Sequence, residues 1–248
     1  MNIHFRITDY CNMNCLNCWS LVINNSVHMT PDIVLKNILE FGPFSKQDKI
    51  NICGGEPSLN PYCKEIINIL LETSAKITFC TNAYNFKTDL IDTLLNVDRI
   101  QVPLEGAESM KFSKFRCGTQ NYLDKILQFI SLLKMMDYKG VVKFGTVLMS
   151  NNVSEFDNML KIILNYGLEK VEWCVYPFIS KDGTYTFIEN RELLSIEEEC
   201  ISKNIFFKVF NPVDRNNKYT FINPNGTVST IKDNVEIIIK KIGGEYVE

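Results

Sequence analysis

The chain has 248 residues, of which 46% are hydrophobic and 22% charged, and its formal net charge is −3. This is the balance of an ordinary globular protein, and the lack of a long Lys or Arg block disfavours nucleic acid as the main partner, because such binding needs concentrated positive charge. No run of about 18 apolar residues predicts a transmembrane helix, and the first ten residues lack the pattern of a signal peptide. We therefore expect a cytoplasmic protein with no membrane partner.

Predicted strands and helices alternate along the chain. The predicted strands span residues 3–7, 49–53, 76–81, 99–104, 141–149, 171–178 and 205–210, and the predicted helices span residues 31–41, 61–72, 88–95, 121–136, 152–166 and 192–203. Six β-then-α units imply a parallel sheet with right-handed helical crossovers. This predicts an α/β fold, either a full or partial barrel or an open doubly wound sheet. In each case the active site lies at the carboxyl ends of the strands.

The C-terminal segment has a different pattern. Residues 219–222 and 227–231 flank the turn Asn223-Pro224-Asn225-Gly226, which predicts a β-hairpin. Residues 234–242 are predicted to form a short terminal helix. We expect one domain overall, with residues 1–204 as the core and residues 205–248 as an extension packed on it.

Three of the nine cysteines lie close together, directly after the first strand. Cys11, Cys15 and Cys18 have the spacing C-x3-C-x2-C, and thiolates are the usual ligands of iron–sulfur clusters. Three thiolates would leave one iron of a cubane open, whereas a structural zinc site is closed by four ligands. His4 and His28, the only histidines, complete no zinc motif. The spacing favours a cluster, with zinc or unliganded thiols as the alternatives.

A second motif closes the second strand. Gly54-Gly55-Glu56-Pro57 places two glycines and an acid where the active site is expected. Paired glycines let a ligand approach the backbone closely, and carbonyl and carboxylate oxygens suit an ammonium group. An ordinary strand-to-helix turn is the alternative interpretation.

The two motifs together, in these two elements, resemble the radical S-adenosylmethionine (SAM) superfamily over residues 3–178. The resemblance implies a partial (β/α)6 barrel similar to a TIM barrel and an oxygen-sensitive [4Fe-4S] cluster held by Cys11, Cys15 and Cys18. It also implies SAM as the second cofactor and an electron donor such as flavodoxin or ferredoxin. The implied activity is reductive cleavage of SAM to a 5′-deoxyadenosyl radical that takes hydrogen from a substrate.

The resemblance also implies roles for single residues. Gly54, Gly55 and Glu56 would bind the amino group of SAM, and Arg116 would bind its carboxylate. Glu105 would contact the ribose and Val147 the adenine. Asn82 belongs to the Thr81-Asn82-Ala83 element of the cofactor site. The chain departs from the family at Asn17, where relatives carry an aromatic residue beside the adenine, and Trp19 is the replacement that we expect.

Residues that meet the substrate are expected on the inner face of the barrel. Tyr176 lies nearest the carboxyl end of the sixth strand, Arg116 is placed at the reacting cofactor, and Cys117 or Cys174 could return hydrogen to a substrate radical. Packing inside the barrel is the plain alternative for each. The hairpin resembles those of viperin-like and peptide-modifying members.

The substrate class stays open among a small molecule, a nucleotide and a peptide, and a nucleotide would need a basic cluster inside the barrel. Two other functions also stay open. One is transfer of an aminocarboxypropyl group from SAM, and the other is a non-catalytic iron–sulfur or zinc sensor.

Overall fold

The computed structural model describes residues 1–15, 18, 27–84, 86–108, 121–180, 184 and 191–241. Within these residues the strands are β1 (Asn2–Thr8), β2 (Lys49–Gly54), β3 (Lys76–Cys80), β4 (Arg99–Pro103), β5 (Val141–Leu148), β6 (Val171–Pro177), β7 (Phe206–Val209), β8 (Thr220–Ile222), β9 (Thr227–Lys232) and β10 (Val235–Lys241). The α-helices are α1 (Pro31–Phe41), α2 (Cys63–Leu71), α3 (Ile91–Leu94), α4 (Tyr122–Met135), α5 (Phe156–Tyr166) and α6 (Arg191–Ser202).

The strands form one sheet in the order β10-β9-β8-β1-β2-β3-β4-β5-β6-β7. All neighbours from β1 to β7 pair in parallel, and a parallel pair needs a crossover connection, which the helices supply. The predicted α/β class is confirmed, because helices alternate with the strands of one largely parallel sheet.

In β1 and β6, apolar side chains on the outer face alternate with more polar side chains on the inner face, because successive side chains of a strand point to opposite faces. In β1, Ile3, Phe5 and Ile7 are buried in the main hydrophobic core. In β6, the ring of Trp173 stacks on Phe156 of α5, with centroids 5.2 Å apart. Burying each such side chain contributes about 1.5–3 kcal/mol to folding. The intervening residues therefore line the concave face of the sheet.

One ion pair shows how strongly the sheet curls. Arg99 of β4 donates two hydrogen bonds of 3.1 Å to Glu172 of β6, across the intervening strand β5. Strands two places apart in a sheet are about 10 Å apart, so both side chains converge on the concave side. The inner wall is thus a curved surface that can enclose a ligand.

The C-terminal hairpin prediction is confirmed, and the helix predicted over residues 234–242 is wrong. β8 and β9 pair antiparallel, β8 joins the edge of β1, and residues 235–241 form strand β10 against β9. The β-branched run Val235-Glu236-Ile237-Ile238-Ile239 favours a strand. Glu236 also accepts two hydrogen bonds from Arg6, of 2.6 and 2.8 Å, which ties β10 to β1.

Both sides of the proposed division at residue 204 share this sheet, since β7 pairs with β6 and β8 with β1. The division into a core and an extension stays a prediction. None of the helices in the described ranges is long and apolar enough to cross a lipid bilayer.

Candidate active site

The three cysteines of the predicted cluster loop follow β1 at the carboxyl end of the sheet. Cys11, Cys15 and Cys18 are half-buried, and none of them forms a disulfide. The amide of Cys18 donates to the carbonyl of Cys15, with 3.3 Å between N and O, so the chain turns tightly between them. Burial chiefly, with smaller contributions from the Glu56 carboxylate and the other two thiols, raises the pKa of Cys11 to about 11, while the backbone of Met13 offsets part of the rise.

No group of three or more His, Cys, Asp or Glu side chains is arranged around a single metal ion within the part of the chain that the structure describes. In a cubane cluster each thiolate binds a different iron, so the ligands stand further apart than those of one ion. Three thiols on one short loop, without a fourth, are a donor set that fits a cluster with one open iron.

The two glycines of the second motif press directly against this loop. The amide of Gly55 donates to the carbonyl of Thr8 (2.7 Å), and the amide of Glu56 donates to the carbonyl of Tyr10 (2.8 Å). A Cβ at Gly54 would stand 2.2 Å from the carbonyl oxygen of Thr8, and one at Gly55 would stand 2.2 Å from that of Tyr10. Only glycine permits this contact, which holds the residue before Cys11 in place.

Glu56 bonds to the protein through both carboxylate oxygens. Its Oε1 accepts hydrogen bonds from the amide (3.2 Å) and hydroxyl (2.7 Å) of Ser58 and from the hydroxyl of Thr81 (2.7 Å), and its Oε2 accepts from the amide of Asn82 (2.7 Å). Burial raises the pKa of Glu56, and these four donors offset part of the rise. In this structure the carboxylate joins the ends of β2 and β3, and its predicted contact with SAM stays a prediction.

Asn82 is the residue that joins β3 to the cluster loop. Its Nδ2 donates to Asn12 Oδ1 (2.8 Å) and lies 3.6 Å from the sulfur of Cys11, and its Oδ1 accepts from the amide of Tyr84 (2.7 Å). The backbone carbonyl of Asn82 accepts a hydrogen bond from the hydroxyl of Tyr122 in α4 (2.7 Å). The side chain is therefore held beside Cys11, a predicted cluster ligand, by hydrogen bonds through both its amide nitrogen and its amide oxygen.

The ends of β4 and β5 carry two further predicted cofactor residues. Glu105 is buried, and its backbone carbonyl accepts from Asn152 Nδ2 (3.2 Å), which also donates to the carbonyl of Val147 (2.8 Å). Val147 is half-buried and pairs in register with Tyr176. Asn152, which bonds these two strand ends together, was not among the predicted site residues, because the bond depends on contacts between separate parts of the chain.

The inner face of β6 carries Cys174 and Tyr176, which are two residues apart and therefore point to the same side of the sheet. Burial raises the pKa of both groups, so both stay protonated near neutral pH. Tyr219, just before β8, lies near enough to both residues to interact with them electrostatically.

Three predicted site residues, Trp19, Arg116 and Cys117, lie outside the described residues. Of the rest, the structure brings Cys11, Gly55, Glu56 and Asn82 into one bonded group, and it places Cys174 and Tyr176 together on the neighbouring wall.

The comparison with protein families agrees with this geometry. Residues 5–163 match the model of the radical SAM superfamily. The chain belongs to the radical SAM superfamily. Members of this superfamily use a [4Fe-4S] cluster and SAM, and the loop of three cysteines beside the Gly54-Gly55-Glu56 turn is where this chain would hold them.

Two curated relatives illustrate the range of the superfamily. A putative glycyl-radical enzyme activating enzyme from Methanocaldococcus jannaschii is 29% identical over 165 residues, covering 65% of this chain and 63% of the relative. An S-adenosylmethionine-dependent nucleotide dehydratase from Flammeovirga pacifica is 23% identical over 238 residues, covering 91% of this chain and 80% of the relative. The chain spans 41–63% of the first curated relatives it matches.

Solved structures confirm the fold. Streptococcus suis SuiB bound to its precursor peptide SuiA superimposes with a TM-score of 0.73 at 13% identity, covering 92% of this chain and 58% of SuiB. The protein anSMEcpe with bound AdoMet superimposes with a TM-score of 0.71 at 13% identity, covering 97% of this chain and 77% of anSMEcpe.

Proposed function

We propose that the chain cleaves SAM reductively at a [4Fe-4S] cluster and directs a 5′-deoxyadenosyl radical at a C–H bond of a substrate held inside the barrel. The observation that carries this proposal is the set of hydrogen bonds between the residues just before Cys11 and the glycine turn, which is Gly54-Gly55-Glu56. The amides of Gly55 and Glu56 bond to residues 8 and 10, while Asn82 reaches Cys11. The loop that would bind the cluster and the turn that would bind SAM are thus one rigid unit.

The cluster and SAM supply the radical chemistry when bound, and the task of the protein is to position and to shield. Cys11, Cys15 and Cys18 hold the cluster, and the backbone of Gly54 and Gly55 lies where the amino group of SAM can approach it. Glu105 and Val147 stand at the strand ends on the other side of the barrel mouth, where the ribose and adenine are expected. Arg116 and Trp19 keep the roles that the resemblance implies.

Cys174 and Tyr176 are the proposed residues on the substrate side. Burial keeps the Cys174 thiol neutral, and a neutral S–H is the form that can return a hydrogen atom to a substrate radical. That transfer leaves a thiyl radical, which one electron and one proton restore, the electron coming from the external donor. Tyr176, on the same face of β6, shields the Cys174 thiol from water and contacts the substrate beside it. Cys117 stays the second candidate for hydrogen return.

Flavodoxin or ferredoxin is the proposed electron donor. The three cysteines are half-buried rather than buried, and the preceding Tyr10 is exposed. A donor can therefore approach one side of the cluster loop while the barrel covers the other. The proposed substrate is a small molecule, with a peptide as the second possibility.

The test is SAM turnover by protein reconstituted with iron and sulfide under anoxic conditions and reduced with dithionite. We expect the wild type to release 5′-deoxyadenosine and Cys15→Ala to release none, with its iron content lowered. Cys200→Ala is the matched control, because Cys200 is buried in α6, away from the loop, and should keep both cluster and turnover.

Other products would point to other functions. Release of 5′-methylthioadenosine instead of 5′-deoxyadenosine would indicate aminocarboxypropyl transfer. A cluster that forms and never turns SAM over would indicate a sensor, and a chain that binds only zinc would refute the proposal.

A further inference from the structure

Among the described residues, four charged groups on the inner wall of the barrel are neutralised in two ion pairs. Arg6 is paired with Glu236 through two hydrogen bonds, and Arg99 is paired with Glu172. These pairs leave neither acid available for a positively charged ligand. They also leave neither arginine available for a negatively charged one.

Lys143 and Gln101 differ from these groups. They are register partners on β5 and β4 and both are half-buried. Across the described ranges, neither side chain has a hydrogen bond or an ion pair with another residue. The Lys143 ammonium lies 5.6 Å from the ring centroid of Tyr176, and the Gln101 amide lies against Gly145, 3.2 Å from where a Cβ would stand. Two adjacent polar groups thus point into the interior with unused donors.

Among the described residues, no carboxylate forms an ion pair with the Lys143 ammonium. Glu172, its register neighbour on β6, is bonded to Arg99. The ammonium also interacts electrostatically with His4, Cys80 and Cys174. None of these three residues carries a negative charge that could balance it. A half-buried cation without a counter-ion is unfavourable, and a bound anion would remove that penalty.

A second lysine adds positive charge at the open edge of the wall. Lys208 lies on β7 in register with Cys174, and its ammonium stands 4.6 Å from the ring centroid of Phe210. The Phe210 ring stacks on Tyr176, with centroids 4.8 Å apart. The two lysines therefore flank a stacked aromatic pair, and an anion entering past β7 would meet both.

Lys143 lies deeper in the barrel than the residues that are predicted to contact the cofactors. Cys80, Gln101 and Lys143 are register partners at one level of the sheet. Asn82, beside the cluster loop, is two residues further along the chain, which corresponds to about 7 Å toward the strand ends. A group bound at Lys143 would lie one layer of side chains below the cofactors.

We propose that Lys143 and Gln101, with Lys208 at the entrance, bind a carboxylate or phosphate group of the substrate and so orient its reacting carbon toward the cofactor layer. This inference rests on the proposed function, because it takes the anion to be part of the substrate. Charge-assisted hydrogen bonds of this kind carry both affinity and orientation.

The experiment is calorimetric titration of the SAM-loaded, reconstituted protein with two probes, succinate for carboxylates and inorganic pyrophosphate for phosphates. We expect one probe to bind at a single site, and Lys143→Met to weaken its binding at least about tenfold, the effect of losing one charged hydrogen bond. Lys143→Arg should retain most of the binding. Lys161→Met is the matched control, since Lys161 is an exposed lysine on α5, and it should bind like the wild type.

Three outcomes would overturn the inference: neither probe binds the wild type, Lys143→Met binds as well as the wild type, or Lys143→Met weakens SAM itself as much as the probe. The last result would assign Lys143 to the carboxylate of SAM. If Lys143→Met does not fold by circular dichroism, Lys143→Gln and Gln101→Leu serve instead. Binding is measured without turnover, so loss of SAM cleavage with intact probe binding refutes the proposed function and leaves the anion site standing.

Discussion

Replacing Gly55 by alanine should break the joint between the glycine turn and the cluster loop. The added Cβ would lie 2.2 Å from the carbonyl oxygen of Tyr10, so the two backbones must separate by about 1 Å to reach ordinary contact. That shift removes the hydrogen bonds from Gly55 to Thr8 and from Glu56 to Tyr10. Each lost bond costs about 1 kcal/mol, and up to about 3 kcal/mol where its groups stay buried without partners.

The expected loss of stability for Gly55→Ala is therefore about 2–6 kcal/mol. For a chain of this length that corresponds to a fall in melting temperature of roughly 4–24 °C. The second expected effect is a loss of cluster, because Cys11 follows Tyr10 directly. Differential scanning calorimetry gives the first quantity, and iron and sulfide analysis after anoxic reconstitution gives the second.

Gly226→Ala separates this steric effect from backbone strain. Gly226 has φ +80 and nothing within 4 Å of an added Cβ, so its replacement costs only the left-handed conformation, about 1–2 kcal/mol, and leaves the cluster intact. If Gly55→Ala keeps a wild-type melting temperature and full iron content, the steric reasoning is refuted.

Three further outcomes follow from other contacts. In the wild type, the Asn82 N–H beside the Cys11 sulfur would stabilise the reduced cluster, and Asn82→Leu removes this donor. A redox titration of the variant, followed by electron paramagnetic resonance, should therefore give a reduction potential lower by about 20–65 mV. Arg6→Met leaves the Glu236 carboxylate without its cationic partner and should cost about 3 kcal/mol in thermal unfolding, and adding Glu236→Leu should restore most of this loss. His4 has its pKa lowered to about 3, chiefly by burial and then by nearby cations. The unfolded chain therefore binds the His4 proton first, and wild-type stability should fall as pH drops below about 6.5, a fall that His4→Gln should reduce.

Each of these outcomes has a clear contradiction. An unchanged or raised potential in Asn82→Leu would show that the amide does not act on the cluster. A double variant at Arg6 and Glu236 that is no more stable than Arg6→Met would show that the unpaired carboxylate is not the cause. An identical pH dependence in His4→Gln would place the acid sensitivity elsewhere.

The strands, the cluster loop and the glycine turn were predictable because their sequence signals are local. Alternation of apolar and polar residues located β1 to β7 to within a few residues, and the two motifs lie within short stretches of chain. The C-terminal strand β10 was not predictable in the same way. Residues 235–239 are a nearly continuous apolar run, which fits a helix or a strand by its pattern, and the choice depends on pairing with β9 and on the contact of Glu236 with Arg6.

The role of Glu56 shows the same limit within the site. Its position after two glycines predicted a ligand for the amino group of SAM. The structure adds four donors from Ser58, Thr81 and Asn82, and no local pattern joins the residues of β2 to those after β3. The lack of an ion pair at Lys143 could not be predicted from the sequence for a similar reason, because it depends on Glu172 pairing with Arg99.

The bonding of the inner wall divides the barrel into two halves with different freedom to change. On the side of β1 to β3, the groups around Glu56 and Asn82 bond to one another, so a substitution there disturbs several partners at once. On the side of β4 to β6, Gln101 and Lys143 have donors that no neighbour in the described chain uses. A laboratory library that seeks a new substrate should therefore vary Gln101, Lys143 and their neighbours below the strand ends, where altered residues do not contact the bonded group around Glu56 and Asn82.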